Sequence, residues 1–359
     1  MLKLRIAQLF LLTSMAACLS GSSQTPAVNS VVVPAWEDMA TWDSVHPIQT
    51  RDIVYASVAQ TGNPSANPNP GTPAGTVPAI EKSATTAPGK MELHLDVLQM
   101  PSSKPTPVVL QLHGGGWIRG DRPSSYNTFR AFLAAGMSVV TVQYRNAKDA
   151  PAPAAIQDVR CALAWVKANA TKYNFDVSRV VTYGESAGGH LALMAAYAPP
   201  SFNPEGCTDQ PKVVAVLDFY GPTNLAEGLT EHGSSDFTHQ WLGTNMPSPP
   251  YPATVSPGVR TLPVKWPDPD AKTLALAREM SPMTYIKPGL PPTFIVFGDG
   301  DHTVDPTQDT QLKTALDAAG VPNGMDVVVG GGHGNFSKEE ADKSKLLCLE
   351  FLKAQGILK

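Results

Sequence analysis

The chain reads Val180-Val-Thr-Tyr-Gly184-Glu185-Ser186-Ala187-Gly188-Gly189-His190 near its middle, and this stretch contains the pattern Gly-x-Ser-x-Gly. A β-branched run at 177–183 precedes the pattern, and an alanine- and leucine-rich run at 187–198 follows it. These runs predict a strand that turns sharply into a helix, with glycines at the positions that a side chain would block. Such a turn exposes the Ser186 hydroxyl beside the free N–H groups that begin the helix. The alternative is a glycine–serine turn without chemistry, which would need no partner residues elsewhere.

Alternating strands and helices surround this turn. The apolar run at 108–112 is typical of a strand buried on both faces. Strands are predicted at 51–58, 91–98, 108–112, 138–144, 177–183, 213–219, 293–297 and 325–329, and helices at 124–135, 154–171, 187–198, 310–319 and 338–353. Repeated βα units predict an α/β fold, with a doubly wound, mostly parallel sheet of about eight strands between helices.

Two segments interrupt this alternation. Residues 60–90 are rich in proline, glycine and small polar residues and predict a long surface loop. Residues 221–280 predict a short cap-like insertion above the carboxyl edge of the sheet, where ligands bind in such folds, and 271–280 is its only predicted helix. We therefore predict one folded domain over 51–359, preceded by a tether and N-terminal segment at 19–50.

The N-terminus indicates export. A basic start precedes an apolar run at 6–12, which is long enough for a signal-peptide core and too short to span a bilayer. Residues 13–18 resemble the lipobox of bacterial lipoproteins, which predicts a signal peptide over 1–18 and lipidation of Cys18. The protein would then be anchored in the cell envelope. Ordinary cleavage near Ala17, with release of a secreted protein, is the alternative.

Charge and cysteine content limit the partners. The formal net charge is −4, and the sequence has no run of lysine or arginine that could follow phosphates, so nucleic acid is not an expected partner. Beyond Cys18, the cysteines Cys161, Cys207 and Cys348 allow at most one internal disulfide, and their spacing fits no zinc site. The residues alone do not choose a pair, and buried free thiols remain the alternative.

A serine nucleophile needs a base, and the base needs an acid to orient it. His333 follows the last predicted strand in a glycine-rich loop, which makes it the candidate base. His190 lies one helical turn after Ser186 and is interpreted as structural. His232 and His239 lie in the insertion and are expected to be solvated rather than to act as ligands.

The candidate acids follow the strand at 293–297. Asp299, Asp301 and Asp305 all lie in this segment. We favour Asp301, because Asp299 directly follows the closing glycine and Asp305 precedes a proline and is a candidate cap for the following helix. The order Ser186, Asp301, His333 is the order of the nucleophile, acid and base in acyl-transferring hydrolases built on such a sheet.

The segment His113-Gly114-Gly115-Gly116-Trp117 follows the strand at 108–112. Successive glycines let backbone N–H groups converge, so Gly115 and Gly116, with the amide of Ala187, are predicted to bind the oxyanion of a tetrahedral intermediate. A phosphate loop is the alternative, but neither Gly-Lys-Ser/Thr nor Gly-x-Gly-x-x-Gly occurs here.

Taken together, these motifs resemble α/β-hydrolases of the hormone-sensitive-lipase-like and acetylxylan or feruloyl esterase-like (BD-FAE) group. The matching residues, in the family's order, are His113 to Trp117, Tyr144-Arg145, Asp158, Trp165, Gly184 to His190, Phe219-Tyr-Gly-Pro-Thr223, Ser281-Pro282, Asp301, Val304 and Gly332-His333-Gly334. The chain departs from the family pattern at Asp305, where proline usually follows the valine, and in the length of the loop at 60–90.

The resemblance implies a serine carboxylic-ester hydrolase that works through an acyl-enzyme and needs no metal or cofactor. Trp117 and Glu185 are assigned to substrate binding. The expected substrates are short-acyl or small aromatic-acyl esters, with a carbohydrate as one candidate for the alcohol part. An amidase or peptidase with the same triad, or an inactive surface-anchored binding protein, are the alternatives. Contact with a membrane is expected only through the N-terminal anchor.

Overall fold

Eight strands form a single sheet in the computed structural model, which describes residues 38–61, 89–229, 235–244 and 268–359. The strands are β1 (Ile48–Ala59), β2 (Lys90–Gln99), β3 (Thr106–Leu112), β4 (Ser138–Val142), β5 (Phe175–Glu185), β6 (Val213–Phe219), β7 (Thr293–Gly298) and β8 (Asn323–Val328). Their order is β1-β2-β4-β3-β5-β6-β7-β8; β2 pairs antiparallel with both β1 and β4, and the remaining pairs are parallel. The predicted fold class is confirmed.

Helices cover the sheet on both faces. They are α1 (Arg130–Ala134), α2 (Ala154–Ala168), α3 (Ala170–Tyr173), α4 (Ala187–Tyr197), α5 (Leu225–Gly228), α6 (Ser235–Leu242), α7 (Ala271–Glu279), α8 (Thr307–Ala318) and α9 (Lys338–Ala354). The crossover from β3 to β4 runs one way along the sheet and those from β5 to β6 and β7 to β8 run the other way. Right-handed crossovers therefore place α1 opposite α4 and α8, and α9 packs beside α1.

This reversal between β3 and β5 positions the site. The chain leaves the carboxyl ends of these adjacent parallel strands toward opposite faces, which opens a crevice between the two connections. Both strands are firmly anchored, because all residues of β3 are buried and Val180, Val181 and Tyr183 of β5 have no exposed surface. A rigid double-sided core therefore holds the loops that follow β3 and β5.

The structure corrects two predictions about the helices. The helix predicted at 124–135 begins later, with a 3-10 turn at Asn127–Phe129 followed by α1, although Gly136 ends it as expected. The insertion contains α5 and α6 besides α7. His239, predicted to be solvated, lies in α6 and is only 1% exposed, because this helix packs against α5 and α7.

The structure places a disulfide between Cys161 of α2 and Cys207, and Cys348 of α9 is a buried free thiol. No described helix is both long and apolar enough to cross a bilayer. Several sequence predictions lie outside the described residues: the signal peptide and Cys18, the tether up to residue 37, most of the loop at 60–90, and His232.

Candidate active site

Ser186 lies in the tight turn between β5 and α4. Its backbone has φ 56° and ψ −122°, a strained conformation for a residue with a side chain. Its N–H donates to Phe219 O at 2.8 Å, which ties the turn to β6. A Cβ at Gly184 would lie 2.1 Å from Gly188 O, and one at Gly188 would lie 2.1 Å from Leu112 O. The two glycines of the pattern are therefore required by the close approach of three backbone segments.

The structure brings Ser186, His333 and Asp301 together in one line of hydrogen bonds. His333 Nε2 lies 2.8 Å from Ser186 Oγ, and His333 Nδ1 lies 2.6 Å from Asp301 Oδ2. The other oxygen of Asp301 accepts the N–H groups of Thr303 at 2.7 Å and Val304 at 3.1 Å. These bonds fix a buried carboxylate, which can in turn fix the orientation of the imidazole ring.

The two other candidate acids bind backbone amides instead. Asp299 accepts a hydrogen bond from the N–H of Gly330. Asp305 accepts one from the N–H of Thr307, the first residue of α8, at 2.8 Å, although Pro306 rather than Asp305 is the N-cap of this helix. Both aspartates are exposed, whereas Asp301 is 4% exposed.

The glycine loop after β3 lies beside the serine. Gly115 and Gly116 adopt positive φ values of 125° and 61°, and Ala187 is the first residue of α4. Within the described parts of the chain, none of these three amides donates a hydrogen bond to another residue. The loop is closed by Ile118 and Arg119, whose N–H groups both donate to Gly115 O at 3.2 Å. Three unpaired donors therefore border the space above Ser186.

A cavity of about 370 Å³ opens above these residues. Phe237 of α6 forms part of its wall so closely that a Cβ at Gly116 would lie 2.7 Å from the aromatic ring. The Arg119 guanidinium lies 5.5 Å from the centre of the same ring. The remaining lining residues are Gly114, Gly115, Trp117, Glu185, Ser186, Ala187, Tyr220, Pro222, Thr303, Val304, His333 and Gly334. Among the described residues, no group of histidines, cysteines and carboxylates is arranged to hold a metal ion.

Tyr220 is a site residue that sequence reasoning missed. Its backbone has φ 44°, and its ring packs edge to face on the His333 ring at 4.9 Å and on Phe336 at 5.7 Å. A Cβ at Gly334 would lie 2.6 Å from the Tyr220 hydroxyl. Tyr220 thus braces the loop that carries His333. Its place in the quoted segment Phe219-Tyr-Gly-Pro-Thr223 is the signal that could have identified it.

Glu185, predicted to bind substrate, is held by tyrosines. Its carboxylate accepts the hydroxyl hydrogen bond of Tyr183 at 2.5 Å. Burial and the nearby Glu185 carboxylate raise the pKa of both Tyr183 and Tyr220, so both phenols remain neutral hydrogen-bond donors. Glu185 still lines the cavity, but its carboxylate is already engaged by the protein.

The indole of Trp117, also predicted to bind substrate, is 1% exposed although Trp117 lines the cavity, and its role in substrate binding stays a prediction. The ring stacks on Trp241 at 4.8 Å, and Nε1 donates to His190 Nδ1 at 3.2 Å. His190 Nε2 in turn donates to Met280 O at 2.7 Å, and burial lowers the pKa of His190 to about 4. This neutral histidine is structural, as predicted, and links α4 to the insertion.

Known proteins resemble this chain in sequence and in fold. The sequence matches the BD-FAE family model over residues 95–316, which contain Ser186, Asp301, Gly115 and Gly116. The chain belongs to the BD-FAE family. Among curated relatives, esterase LipQ of Mycobacterium tuberculosis is 29% identical over 241 residues, covering 65% of this chain and 52% of LipQ. The probable carboxylic ester hydrolase LipM of the same organism is 31% identical over 217 residues, covering 59% and 46%. The chain thus spans about half the length of these relatives.

Solved structures support the fold assignment. The apo form of esterase 2 from Thermogutta terrifontis is 24% identical, with a TM-score of 0.58, and the match covers 75% of this chain and 92% of that one. The same esterase phosphonylated by sarin gives a TM-score of 0.60 at 23% identity, covering 78% and 96%. At this identity the similarity concerns the fold alone, which is the α/β-hydrolase fold shared by the BD-FAE family.

Proposed function

We propose that this BD-FAE member is a serine carboxylic-ester hydrolase. The observation that carries the proposal is the continuous alignment of Ser186 Oγ, the His333 ring and Asp301, with separations of 2.8 and 2.6 Å. A carboxylate accepts the Nδ1 proton, which leaves Nε2 free to accept the proton of the serine hydroxyl. The alignment supports an active enzyme over a binding protein that has lost its chemistry.

Catalysis would proceed in two halves. In the first, Ser186 Oγ attacks the ester carbonyl as His333 takes its proton, and the amides of Gly115, Gly116 and Ala187 bind the negative oxygen of the tetrahedral intermediate. His333 then gives the proton to the leaving alcohol, and an acyl group remains on Ser186. In the second half, His333 activates a water molecule that releases the acid and restores the serine. Each oxyanion donor contributes about 2.7–4 kcal/mol to turnover.

We further propose that the enzyme prefers short acyl groups. The acyl and alcohol parts share a cavity of about 370 Å³, and Phe237 closes one wall against Gly116. The described part of the insertion buries Trp241 and Leu242 of α6 in the core, so α6 does not present a broad apolar face to an oil surface. Added methylenes would have to find room instead of simply gaining about 0.8 kcal/mol each from burial.

Specificity is therefore expected to fall as the acyl chain lengthens. The measurement is kcat/KM for p-nitrophenyl esters from acetate to palmitate, with wild type compared with Phe237→Ala. Because the alanine variant opens the wall beside Gly116, its ratio of octanoate to acetate specificity should rise roughly tenfold, the effect of about 1.4 kcal/mol. A wild-type maximum at eight carbons or longer, with activation at a lipid interface, would contradict the proposal.

A further inference from the structure

His190 joins the two parts of the site that must act on the same carbonyl group. Its backbone N–H donates to Ser186 O at 3.1 Å, within the first turn of α4. Its ring accepts a hydrogen bond from the indole Nε1 of Trp117 at 3.2 Å, and Trp117 ends the glycine loop, which we define as residues 113–117. One residue therefore contacts both the nucleophile turn and the loop that carries the predicted oxyanion donors.

The partners of the His190 ring fix its tautomer. An indole N–H can only donate a hydrogen bond, and a backbone carbonyl can only accept one. Nδ1, which faces Trp117 Nε1, must therefore carry a lone pair, and Nε2, which lies 2.7 Å from Met280 O, must carry the proton. The ring is 0% exposed and lies edge to face against the indoles of Trp117 and Trp241, at 5.0 and 5.1 Å. Such an apolar enclosure favours the neutral ring that this tautomer requires.

Trp117 is held in a backbone conformation that needs support. Its φ of 58° lies in the left-handed region, which is unfavourable for a residue with a large side chain. Its carbonyl accepts the N–H of Ala147 at 2.8 Å, and its indole stacks on Trp241 and donates to His190. Gly116 directly precedes Trp117, so the direction of the Gly116 N–H follows from where these contacts hold the tryptophan. A small shift of Trp117 is therefore enough to weaken oxyanion binding, because a donor acts only when it lies about 2.7–3.1 Å from the negative oxygen.

We propose that His190 is a positioning residue that holds the oxyanion donors of the glycine loop at the correct distance from Ser186, through the hydrogen bond from Trp117 to its ring. His190 acts through Trp117 and touches neither substrate nor reacting atoms, since it has no exposed surface. The positioning role rests on the proposed esterase function. The tautomer and the hydrogen bond do not depend on that function, so the two can be tested separately.

Two substitutions of His190 separate the hydrogen bond from the bulk of the ring. His190→Asn places an amide oxygen near the position of Nδ1 and retains an acceptor for the indole, whereas His190→Leu retains none. For p-nitrophenyl acetate, kcat should fall roughly 10²-fold in His190→Leu, as after the loss of one oxyanion donor, and stay within about threefold of the wild type in His190→Asn. KM should change little in either variant, because no part of His190 reaches the substrate. An equal loss of kcat in both variants would overturn the proposal.

A double-mutant cycle tests whether His190 acts through Trp117. Trp117→Phe keeps an aromatic ring beside Trp241 but removes the donor, so kcat should fall about as far as in His190→Leu. In the Trp117→Phe background, His190→Leu should lower kcat by less than about threefold more, because the two substitutions remove the same interaction. Losses that multiply fully would show that His190 does not act through the indole, and the proposal would fail.

A transition-state analogue distinguishes positioning from a loss of stability. Ser186 Oγ adds to the carbonyl carbon of an aryl trifluoromethyl ketone, its proton passes to His333, and the carbonyl oxygen becomes an anion that the glycine loop binds. His190→Leu should weaken this binding by the same factor as kcat/KM. The control is Tyr197→Phe, which removes a different buried hydrogen bond of α4, to Thr293 at 2.5 Å, and should lower stability with unchanged binding. A His190→Leu protein that behaves like this control would contradict the positioning role.

The wild type alone provides a test that misfolding of a variant cannot affect. In protein with ¹⁵N-labelled histidine at neutral pH, the His190 ring, identified by its contact with the Trp117 indole proton, should show an unprotonated Nδ1 and a protonated Nε2. The opposite tautomer, or a doubly protonated ring, cannot accept the indole N–H and would rule the proposal out. Absence of esterase activity in the wild type would instead contradict the proposed function, and the positioning role with it, while this tautomer would be unaffected.

Discussion

Ser186→Ala is expected to fold like the wild type and to lose about 10⁶-fold in kcat toward p-nitrophenyl acetate. The variant lacks the oxygen that lies 2.8 Å from His333 Nε2, so no acyl-enzyme can form, and only binding and the amide donors remain. The substitution keeps a residue with a Cβ at φ 56°, so the backbone strain of the turn is retained and stability should change little. Steady-state kinetics, with thermal unfolding to verify the fold, measure both expectations.

A covalent probe separates loss of the nucleophile from indirect damage. A fluorophosphonate should add one phosphonyl group to the wild type and to Ser124→Ala, a matched change at an exposed serine, but none to Ser186→Ala. Intact-protein mass spectrometry reads the addition directly. Turnover by Ser186→Ala comparable to that of the wild type would end the assignment of Ser186 as nucleophile.

The fold could be predicted because its signals are local. Strands such as β3 and β6 are short apolar runs bounded by turn residues, and the predicted bounds of β6, 213–219, match the structure. For the same reason, the sequence could identify the site residues at the carboxyl edge of the sheet. Ser186 follows β5 directly, and Asp301 and His333 lie in the short loops after β7 and β8, so the strand pattern alone placed them at one edge.

Helix α6 was missed because its order depends on distant contacts. Phe237 and Trp241 recur at helical spacing, but the segment is only 8 residues long, too short for its pattern to predict a helix by itself. Trp241 is fully buried because it stacks on Trp117, which lies far away in the sequence. The same packing buries His239, and burial lowers its pKa to about 4. Neither effect can be inferred from neighbouring residues.

The disulfide and two buried aspartates, Asp218 and Asp309, illustrate the same limit. Cys161 and Cys207 are 46 residues apart, and only the packing of α2 brings them together. Asp218 reads in the sequence as one polar residue at the end of an apolar strand, and Asp309 as an ordinary acid in the first turn of a helix. Only the folded structure shows that Asp218 is 0% exposed and Asp309 is 1% exposed.

Asp301→Asn is expected to lower kcat about 10⁴-fold with little change in the fold. An asparagine can present its amide N–H to Nδ1 of His333, which moves the ring proton to Nε2 and leaves no acceptor for the Ser186 hydroxyl. The backbone amides of Thr303 and Val304 can still be bound by the side-chain oxygen, so the loop should keep its shape. Measurement of kcat and KM should show the loss almost entirely in kcat.

The matched controls are the two other aspartates of the loop that carries Asp301, residues 299–306. Asp299→Asn and Asp305→Asn retain an acceptor oxygen for Gly330 and Thr307, and neither side chain bonds to the histidine, so kcat should stay within a few-fold of wild type. Asp305 is the sharper control, because it occupies the position where the family pattern has proline. If Asp305→Asn were the crippling substitution and Asp301→Asn the mild one, the 2.6 Å contact between Asp301 and His333 would not be the one that orients the base during turnover.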